Sequence, residues 1–443
     1  MIKMIHDPIC AIATSPGISA LGIIRCSGEG SWEKLLPFVN VTDPKPWRLY
    51  LTPFTINGEM IDEVMIAFYK SPKSYTGEDM VELISHGSPL ILRIILQELI
   101  KVGFRQALPG EFTKRAVLNG KMDLIKAESI ETLVSAHSKK ALKAALSNYS
   151  GRLSQTINRI RETLLELLAK VEVELNYPDE IEGSDDEIIR ELEKTLSRVK
   201  KLIRHGENGI VAVNGVKTVI AGRTNVGKST LLNALLRRDR AIVTDIPGTT
   251  RDTIEEDISI NGIYFRLVDT AGIRESSDKV ERIGIERSLK QIKEADLVLF
   301  MVDLIEPEND LELYEKLRKE FRHSILIGNK LDMVEKCPDG FDVCISAKTG
   351  RGIDKLENLM VERTQDITEL YPDEVFVTER QLALVQRSVE MIEEILEALK
   401  SGITPDVVGS YLQQIIFIYD ELTGRYSAED LLDKIFGNFC VGK

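Results

Sequence analysis

The sequence predicts a multidomain protein of the α/β and α classes, in which an α/β domain is inserted into a helical one. The chain has 443 residues, which corresponds to about two to four domains of ~100–200 residues each. Strand and helix patterns alternate between residues 211 and 365, and helical patterns flank this stretch on both sides. The economical arrangement is therefore a discontinuous helical domain that contains an inserted α/β unit.

Composition indicates a globular chain, with 43% hydrophobic and 29% charged residues. The first ten residues include Asp7 and Pro8 and lack the apolar segment of a signal peptide. No apolar run approaches the ~18 residues that a transmembrane helix needs. The five cysteines form no CxxC pair, so the sequence indicates neither a zinc site nor a disulfide framework. These features predict a reduced, cytoplasmic protein.

The formal net charge of −13 argues against binding nucleic acid through the whole surface. Phosphates are bound by clustered Lys and Arg side chains, which an acidic surface does not provide in general. An RNA substrate would therefore require a local basic patch or a partner protein.

Residues 1–118 are predicted to form an N-terminal α+β domain. Short strands are expected at ICAIAT, ALGIIRC, EVMIAFY and DMVELISH. The segment SPLILRIILQELIKVG is predicted to be a helix that ends at Gly103.

Residues 119–210 are predicted to be the first part of the helical domain. In its clearest helix, Ser184 is the expected N-cap, and apolar residues from Ile188 to Ile203 share one face. Gly206 is predicted to end this helix.

Residues 211–368 are predicted to form a G domain. The strands VKTVIAG, IYFRLVDTAG, DLVLFMVD, HSILIGNK and DVCISA alternate with helical stretches, which is typical of a mainly parallel, doubly wound sheet. Residues 369–443 are predicted to complete the helical domain. Its last helix is SAEDLLDKIFG, and the tail CVGK follows.

Four motifs, each at the end of a predicted strand, predict a guanine-nucleotide site. GRTNVGKS at 222–229 matches the phosphate-binding loop, in which Lys228 reaches the phosphates and Ser229 ligates Mg²⁺. DTAG, NKLD and SAK follow in order. In NKLD, the carboxylate of Asp332 accepts the two adjacent N–H donors of guanine, a pattern that adenine reverses. Together the motifs predict a GTPase with a Ras-like fold.

The predicted site lacks two groups that Ras-type GTPases use. The residue after DTAG is Ile273, where Ras-type enzymes have a glutamine that orients water, and no arginine finger is evident. Arg274 and the acidic residues of VERIGIERS are candidates to orient the water. A monovalent cation held by Asn225 and by carbonyls of TDIPGTT could neutralise charge, although Asn225 considered by itself favours a simple turn residue. Thr250 is placed to close on Mg²⁺.

The chain resembles the MnmE (TrmE) family of tRNA-modification GTPases over essentially its whole length. The resemblance lies in SYTGEDMVELISHG, PGEFTKRAVLNGKMDLIKAESI, GRTNVGKSTLLNAL, AIVTDIPGTTRD, DTAGIRE, VERIGIERS and the terminal CVGK. The first, second and last of these are not shared with GTPases in general. The SPGISALG loop departs from the family's usual segment, and Thr224 replaces a common proline.

The resemblance implies a reaction and its partners. Together with the flavoprotein MnmG (GidA), the family adds an aminomethyl or carboxymethylaminomethyl group to C5 of wobble uridine 34 in tRNA. A 5,10-methylene- or 5-formyl-tetrahydrofolate supplies the carbon, and glycine or ammonium supplies the nitrogen. The N-terminal domain is implied to be an aminomethyltransferase-like, folate-binding dimerisation domain in a homodimer, which forms a heterotetramer with MnmG. K⁺ and GTP are implied to pair the G domains before hydrolysis.

The resemblance also implies roles for particular residues. K⁺ is expected at Asn225, Thr244, Ile246 and Thr249, Mg²⁺ at Ser229 and Thr250, and the water-orienting carboxylate is expected at Glu281. Folate is expected to contact Arg25, Glu82, Lys121 and Lys443, and Cys440 is expected beside it as a covalent or acid–base catalyst. The residues expected to bind GTP are Asn225, Val226, Gly227, Lys228, Ser229, Thr230, Thr244, Asp245, Ile246, Pro247, Gly248, Thr249, Thr250, Asp269, Thr270, Ala271, Gly272, Asn329, Lys330, Asp332, Ser346, Ala347 and Lys348.

Two other functions compete with this one. A ribosome-assembly GTPase of the Era or Der kind would carry out no modification chemistry. A stand-alone folate-dependent transferase would use the G domain only for regulation. Without the resemblance, Arg25 and Glu82 would be ordinary strand residues, and Cys440 would be an idle thiol at a frayed end.

Overall fold

The computed structural model describes residues 7–176, 185–239, 255–269, 291–370, 375–401, 404–426, 429–437 and 439–442. The chain is divided into two compact units. Unit 1 comprises Met1–Glu131, Ile157–Ile181 and Ile403–Lys443, and unit 2 comprises Thr132–Thr156 and Glu182–Gly402.

The strands of the described chain fall into two sheets. They are β1 (Ile9–Ile12), β2 (Ser19–Ser27), β3 (Leu49–Ile56), β4 (Glu59–Tyr69), β5 (Met80–Gly87), β6 (Arg105–Gln106), β7 (Val216–Ala221), β8 (Glu255–Ile260), β9 (Ile263–Asp269), β10 (Leu297–Asp303), β11 (Ser324–Asn329) and β12 (Val343–Cys344).

The α-helices are named in the same way. They are α1 (Ser31–Leu35), α2 (Pro89–Lys101), α3 (Glu111–Leu118), α4 (Leu124–Ser135), α5 (Lys139–Tyr149), α6 (Arg152–Asn176), α7 (Asp185–Asn214), α8 (Lys228–Asp239), α9 (Glu308–Leu317), α10 (Ile353–Arg363), α11 (Gln365–Thr368), α12 (Glu379–Lys400), α13 (Pro405–Thr423) and α14 (Glu429–Phe436). Within the described ranges, no helix combines the length and the hydropathy that a membrane span needs.

The sheet of unit 1 has the order β3-β4-β5-β2-β1-β6, and its pairs are antiparallel except for β1 with β6. Leu35, Leu92 and Leu99 of α1 and α2 pack with alternate strand residues into a buried core on one face. The predicted strands and the helix before Gly103 are confirmed. Strand β3 was not predicted because Pro53 interrupts its pattern, yet β3 lies at the sheet edge, where proline is tolerated.

The sheet of unit 2 has the order β12-β11-β10-β7-β9-β8. All of its pairs are parallel except the edge pair of β8 with β9. Two clusters of buried residues, one containing Leu299 and the other Phe300, pack on opposite faces of β10, as expected when a parallel sheet is covered on both sides. The doubly wound sheet is therefore confirmed.

The prediction that Gly206 ends a helix is wrong, because α7 continues to Asn214. Gly206 and Gly209 lie inside the helix, where the chain 375–377 packs against it. A Cβ atom on Gly206 would lie 2.1 Å from the ring of Phe376, and one on Gly209 would lie 2.3 Å from the Phe376 carbonyl oxygen. The glycines permit close packing rather than helix termination, and Ser184, the predicted N-cap, is outside the described residues.

The expectation of a chain without disulfides is also wrong. Cys337 and Cys344 are joined in unit 2, with their Cα atoms 5.8 Å apart. The chain reverses direction between the NKLD motif and β12, which brings together two cysteines separated by seven residues. The spacing rule for metal-binding and redox cysteine pairs does not cover such a reversal. Cys10, Cys26 and Cys440 are free.

Candidate nucleotide site and candidate folate site

The phosphate-binding loop of unit 2 connects β7 to the first turn of α8. Three of its residues, Gly222, Asn225 and Gly227, have positive φ angles of 142°, 65° and 100°. A Cβ atom on Gly227 would lie 2.4 Å from Asn329 Nδ2, so only glycine fits at this close approach. The loop and the N-terminus of α8 therefore present backbone N–H groups close together, and such groups bind phosphate oxygens.

Lys228 and Ser229 stand at the start of α8. Lys228 Nζ donates to the carbonyl oxygens of Gly222 and Arg223 at 2.9 and 2.8 Å, which holds the ammonium group at the loop. Ser229 and Thr230 are exposed. The hydroxyl of Ser229 is thus open to a ligand, and a hydroxyl in this position suits a hard cation such as Mg²⁺.

Asn329, the last residue of β11, connects the phosphate-binding loop to the SAK segment. Its Nδ2 donates to the Val226 carbonyl at 2.7 Å, and its Oδ1 accepts from the Ala347 N–H at 3.0 Å. The side chain is buried. It therefore fixes the phosphate-binding loop relative to the segment predicted to back the base.

Asp332 is exposed beside this segment. A hydrogen bond from Ser346, together with the positive charge of Lys348, lowers the pKa of its carboxyl group. The carboxylate is ionised at neutral pH and accepts hydrogen bonds, which is what guanine's paired N–H donors need. Lys330 has a positive φ of 70° and pairs with Asp303 at the end of β10.

Several predicted residues lie outside the described ranges. Asp269 ends β9 and pairs in register with Ile220 of β7, so this motif lies beside the phosphate-binding loop. The predicted residues outside the described ranges are Thr244, Asp245, Ile246, Pro247, Gly248, Thr249, Thr250, Thr270, Ala271, Gly272, Glu281 and Lys443.

In unit 1, Arg25 and Glu82 face each other across β2 and β5. Arg25 Nε donates to Glu82 Oε1 at 3.0 Å, and Nη2 lies 2.8 Å from the same oxygen. The other oxygen of Glu82 accepts from Tyr69 OH at 3.1 Å. Burial and the neighbouring Glu82 charge raise the pKa of Tyr69 to about 12, so its hydroxyl stays a donor.

Aromatic rings and the C-terminal tail complete this cluster. The guanidinium of Arg25 lies 5.4 Å from the ring centre of Tyr75 and 5.7 Å from that of Phe112. Its Nη1 donates to the carbonyl oxygen of Gly442 at 3.0 Å. The structure therefore brings two predicted folate residues together with the tail. At the contact between them, Arg25 and Gly442 are 417 residues apart in the sequence.

The tail, residues 439–442, is docked on unit 1 rather than frayed. Phe439 is buried and contacts Phe436 with ring centres 5.1 Å apart. The Gly110 N–H donates to the Cys440 carbonyl at 3.4 Å. Cys440 itself is exposed with a free thiol, and it lies two residues before Gly442, whose carbonyl oxygen accepts from Arg25.

Lys121 has a different set of contacts from Arg25 and Glu82. Its Nζ donates to the Pro72 carbonyl at 2.7 Å, and its stem lies near Gly77. It is therefore attached to the loop 72–77, which also carries Tyr75.

A cavity of about 670 Å³ is lined by residues of α3, α14 and the loop 77–79, a size that suits a cofactor. Two of its lining residues are paired, because buried Arg115 contacts buried Glu111 at 2.9 Å, and Arg105 contacts both Glu111 and Asp7. Burial opposes ionisation of Glu111, but donors from Arg105, Leu108 and Arg115 outweigh it and lower its pKa. The hydrogen bond from Arg105 is the main cause of the lowered pKa of Asp7.

Sequence reasoning missed the groups that surround Arg25. Phe112 lies within PGEFTKRAVLNGKMDLIKAESI and Gly442 within CVGK, but their contacts with Arg25 arise only through the fold, and no motif includes Tyr69. Tyr75 lies within SYTGEDMVELISHG, so the motif did point to its loop.

Comparison with known proteins covers nearly the whole chain. Residues 124–440 match the model of the MnmE helical domain, and residues 8–121 match that of the GTP-binding protein TrmE N-terminus. The tRNA modification GTPases MnmE of Thermotoga petrophila and Thermotoga maritima are each 46% identical over 99% of this chain and 100% of their own. That of Aquifex aeolicus is 41% identical with the same coverage. Among solved structures, the G domain of the T. maritima FeoB iron transporter is 29% identical, covers 34% of this chain and 99% of that one, and has a TM-score of 0.27.

The family models together span both compact units, and the match to full-length relatives extends over 99% of this chain. The chain belongs to the MnmE family of tRNA modification GTPases.

Proposed function

We propose that this protein is a cytoplasmic, K⁺-dependent GTPase that acts with the flavoprotein MnmG on tRNA. The pair adds an aminomethyl or carboxymethylaminomethyl group to C5 of wobble uridine 34. A tetrahydrofolate one-carbon unit supplies the carbon, and GTP hydrolysis through pairing of the G domains gates the reaction.

The observation that carries the GTPase proposal is the double hydrogen bond of buried Asn329. Asn329 connects the phosphate-binding loop with the segment beside Asp332. The groups that would bind the phosphates and the base of one nucleotide are therefore held at a fixed distance from each other. Asp332→Asn exchanges an acceptor for a donor. We expect it to lose GTP selectivity and to gain xanthosine triphosphate hydrolysis; unchanged preference for GTP would contradict the assigned role.

Lys228 and the helix N-terminus supply positive charge to the phosphates, while Ser229 and Thr250 would hold Mg²⁺. K⁺ would be held by Asn225, Thr244, Ile246 and Thr249, and it would supply the positive charge that an arginine finger supplies in other GTPases. Glu281 would orient the attacking water. GTP hydrolysis is expected to be much faster in KCl than in NaCl, and Glu281→Ala is expected to slow turnover with little change in GTP affinity. Equal rates in the two salts would refute the role of K⁺.

The Arg25 cluster supports a folate site. Glu82 offers acceptors to the N–H groups of a pterin, and the guanidinium of Arg25 offers donors; Lys121 and Lys443 would add positive charge for the glutamate carboxylates of folate. Calorimetric titration with 5-formyltetrahydrofolate should show binding that Arg25→Met removes. Absence of binding by the unmodified protein would favour the ribosome-assembly alternative.

Cys440 lies on the docked tail beside this cluster, so we assign it to the modification reaction rather than to GTP hydrolysis. Cys440→Ser should abolish wobble-uridine modification, measured by nucleoside mass spectrometry, and spare GTP hydrolysis. Survival of the modification would limit the tail to positioning folate.

An exposed apolar surface supports a homodimer. Leu49 of β3 is 58% exposed and shares one cross-strand row with Ala67, Glu82 and Arg25, while Leu51 on the same side of β3 is 69% exposed. Such a sheet face normally marks an interface. Leu51→Glu should yield monomers in sedimentation; an unchanged dimer would exclude this face.

A further inference from the structure

The solvent-facing side of α7 in unit 2 carries five basic residues. They are spaced by three or four positions, which places them within an arc of about 120° and along about 21 Å of the helix. This basic stripe consists of Arg190, Lys194, Arg198, Lys201 and Arg204, all of them exposed.

The stripe lies away from the packed side of the helix. Ile188, Leu192 and Val199 are buried on that packed side. Lys200, which points toward α12, pairs with Glu393 at 2.6 Å. The basic residue that faces a neighbouring helix is thus neutralised.

Most of the charges of the stripe are not paired with an acidic side chain of the described residues. Lys194 pairs with Glu191 at 2.7 Å. Among the residues that the structure describes, Arg190, Arg198, Lys201 and Arg204 form no ion pair. Like charges three and four residues apart repel and destabilise a helix, so a bound polyanion would relieve this repulsion.

We infer that the basic stripe of α7 binds the phosphate backbone of tRNA. This inference rests on the proposed function and deepens it, because a chain with net charge −13 needs a local cationic surface to hold RNA. A line of Lys and Arg along one helix is the electrostatic footprint of nucleic-acid binding. Three of the five residues are arginines, whose planar guanidinium groups contact phosphate through two hydrogen bonds.

The occupant is RNA rather than an acidic protein because the stripe contains no apolar or aromatic anchor. Protein interfaces obtain most of their affinity from such anchors at their centre. Phosphate contacts need only exposed cations that repeat along a rigid element.

The test measures binding of a fluorescent tRNA transcript to the full-length protein by anisotropy, between 50 and 200 mM NaCl. The variant Arg198→Gln/Lys201→Gln/Arg204→Gln removes three charges from the stripe. We expect at least tenfold weaker binding, and a slope of log affinity against log salt that is shallower by roughly 2 to 3. Arg198→Gln alone should reduce that slope by about 0.7 to 0.9.

A matched control removes three charges elsewhere in unit 2. Lys316→Gln/Arg318→Gln/Lys319→Gln changes the net charge equally at other exposed positions. This control should bind tRNA like the unmodified protein, and both triple variants should hydrolyse GTP at the unmodified rate. Because all six side chains are exposed, thermal melting should show both variants folded.

Four results would overturn the inference. An unchanged slope and affinity in the stripe variant would exclude the stripe, and equal weakening in the control would reduce the effect to net charge. If the stripe variant bound tRNA normally but no longer bound MnmG, the stripe would instead be a binding site for an acidic surface of that partner protein. If the unmodified protein binds no tRNA while it hydrolyses GTP and binds folate, the inference fails and the proposed function stands.

Discussion

Replacement of Gly442 by alanine should undock the C-terminal tail. Gly442 is buried with a positive φ of 96°, and its carbonyl oxygen accepts the hydrogen bond from Arg25. A Cβ atom would lie 2.7 Å from the Cα atom of Ala13 and 2.8 Å from the carbonyl oxygen of Ile12. These are backbone atoms of unit 1, so they cannot rotate away as a side chain would.

The size of the effect follows from two costs. A residue with a side chain in the left-handed region costs roughly 1–2 kcal/mol. Overpacking against fixed atoms adds about 1–3 kcal/mol. Even a total near 2 kcal/mol would shift the equilibrium between docked and undocked tail about 30-fold, at ~1.4 kcal/mol for each factor of ten.

Two measurements report this change. The amide of Gly110 donates to the Cys440 carbonyl, so its hydrogen exchange should accelerate when the tail undocks. Binding of 5-formyltetrahydrofolate should weaken, while GTP hydrolysis should be unchanged because the nucleotide site lies in unit 2.

Gly58→Ala is the matched control. Gly58 has a φ of 84° in the turn between β3 and β4, and a Cβ atom there would meet nothing within 4 Å. It carries the same backbone strain without the clash and should leave both readouts unchanged. If Gly442→Ala also left exchange at Gly110 and folate affinity at wild-type values, the tail docking described here would be refuted.

Three further predictions concern stability. Cys337→Ser opens the disulfide, whose sequence separation of 7 corresponds to about 2.4 kcal/mol of unfolding free energy; thermal melts should differ in oxidising buffer and coincide in dithiothreitol. The pKa values of Asp7 and Glu111 in the folded protein are below their ordinary values of 3.8 and 4.5. Their contribution to the free energy of unfolding is therefore complete above those ordinary values and is lost as the pH falls through the folded pKa. Denaturant unfolding should show lower stability at pH 3 than at pH 6, and equal stability would contradict this prediction. Gly206→Ala should destabilise by about 1–3 kcal/mol, whereas Gly409→Ala, whose Cβ atom would meet only ordinary contacts at 3.6 Å, should be neutral or stabilising in the same melts.

Helix α3 of unit 1 lies next to the cavity, the ion network and the docked tail. Phe112 on this helix contacts Arg25, while Glu111 and Arg115 belong to the buried ion network beside the cavity. The helix thus connects the candidate folate site with carboxylates whose protonation in acid should destabilise unit 1. This connection gives the pH prediction a functional readout, since folate binding should weaken together with the stability of unit 1.

The sequence alone determined the fold class and the order of the nucleotide motifs. The strands before GRTNVGKS, NKLD and SAK are short apolar runs, and the turns after them need particular residues such as Gly227. Both signals are local, because periodicity and backbone conformation depend on near neighbours. For this reason the parallel sheet and the position of Asn329 at the end of β11 could be predicted.

Only the tertiary structure decided which distant residues meet. The sequence predicted that Gly206 ends a helix, but Gly206 lies inside α7 and packs against Phe376. Cys337 and Cys344 form a disulfide because the chain reverses direction between them. Arg25 reaches Gly442 across 417 residues. Contacts of this kind depend on how whole elements pack, and no periodicity within a segment records them. The tail CVGK was recognisable from sequence, but its docking against unit 1 required the fold.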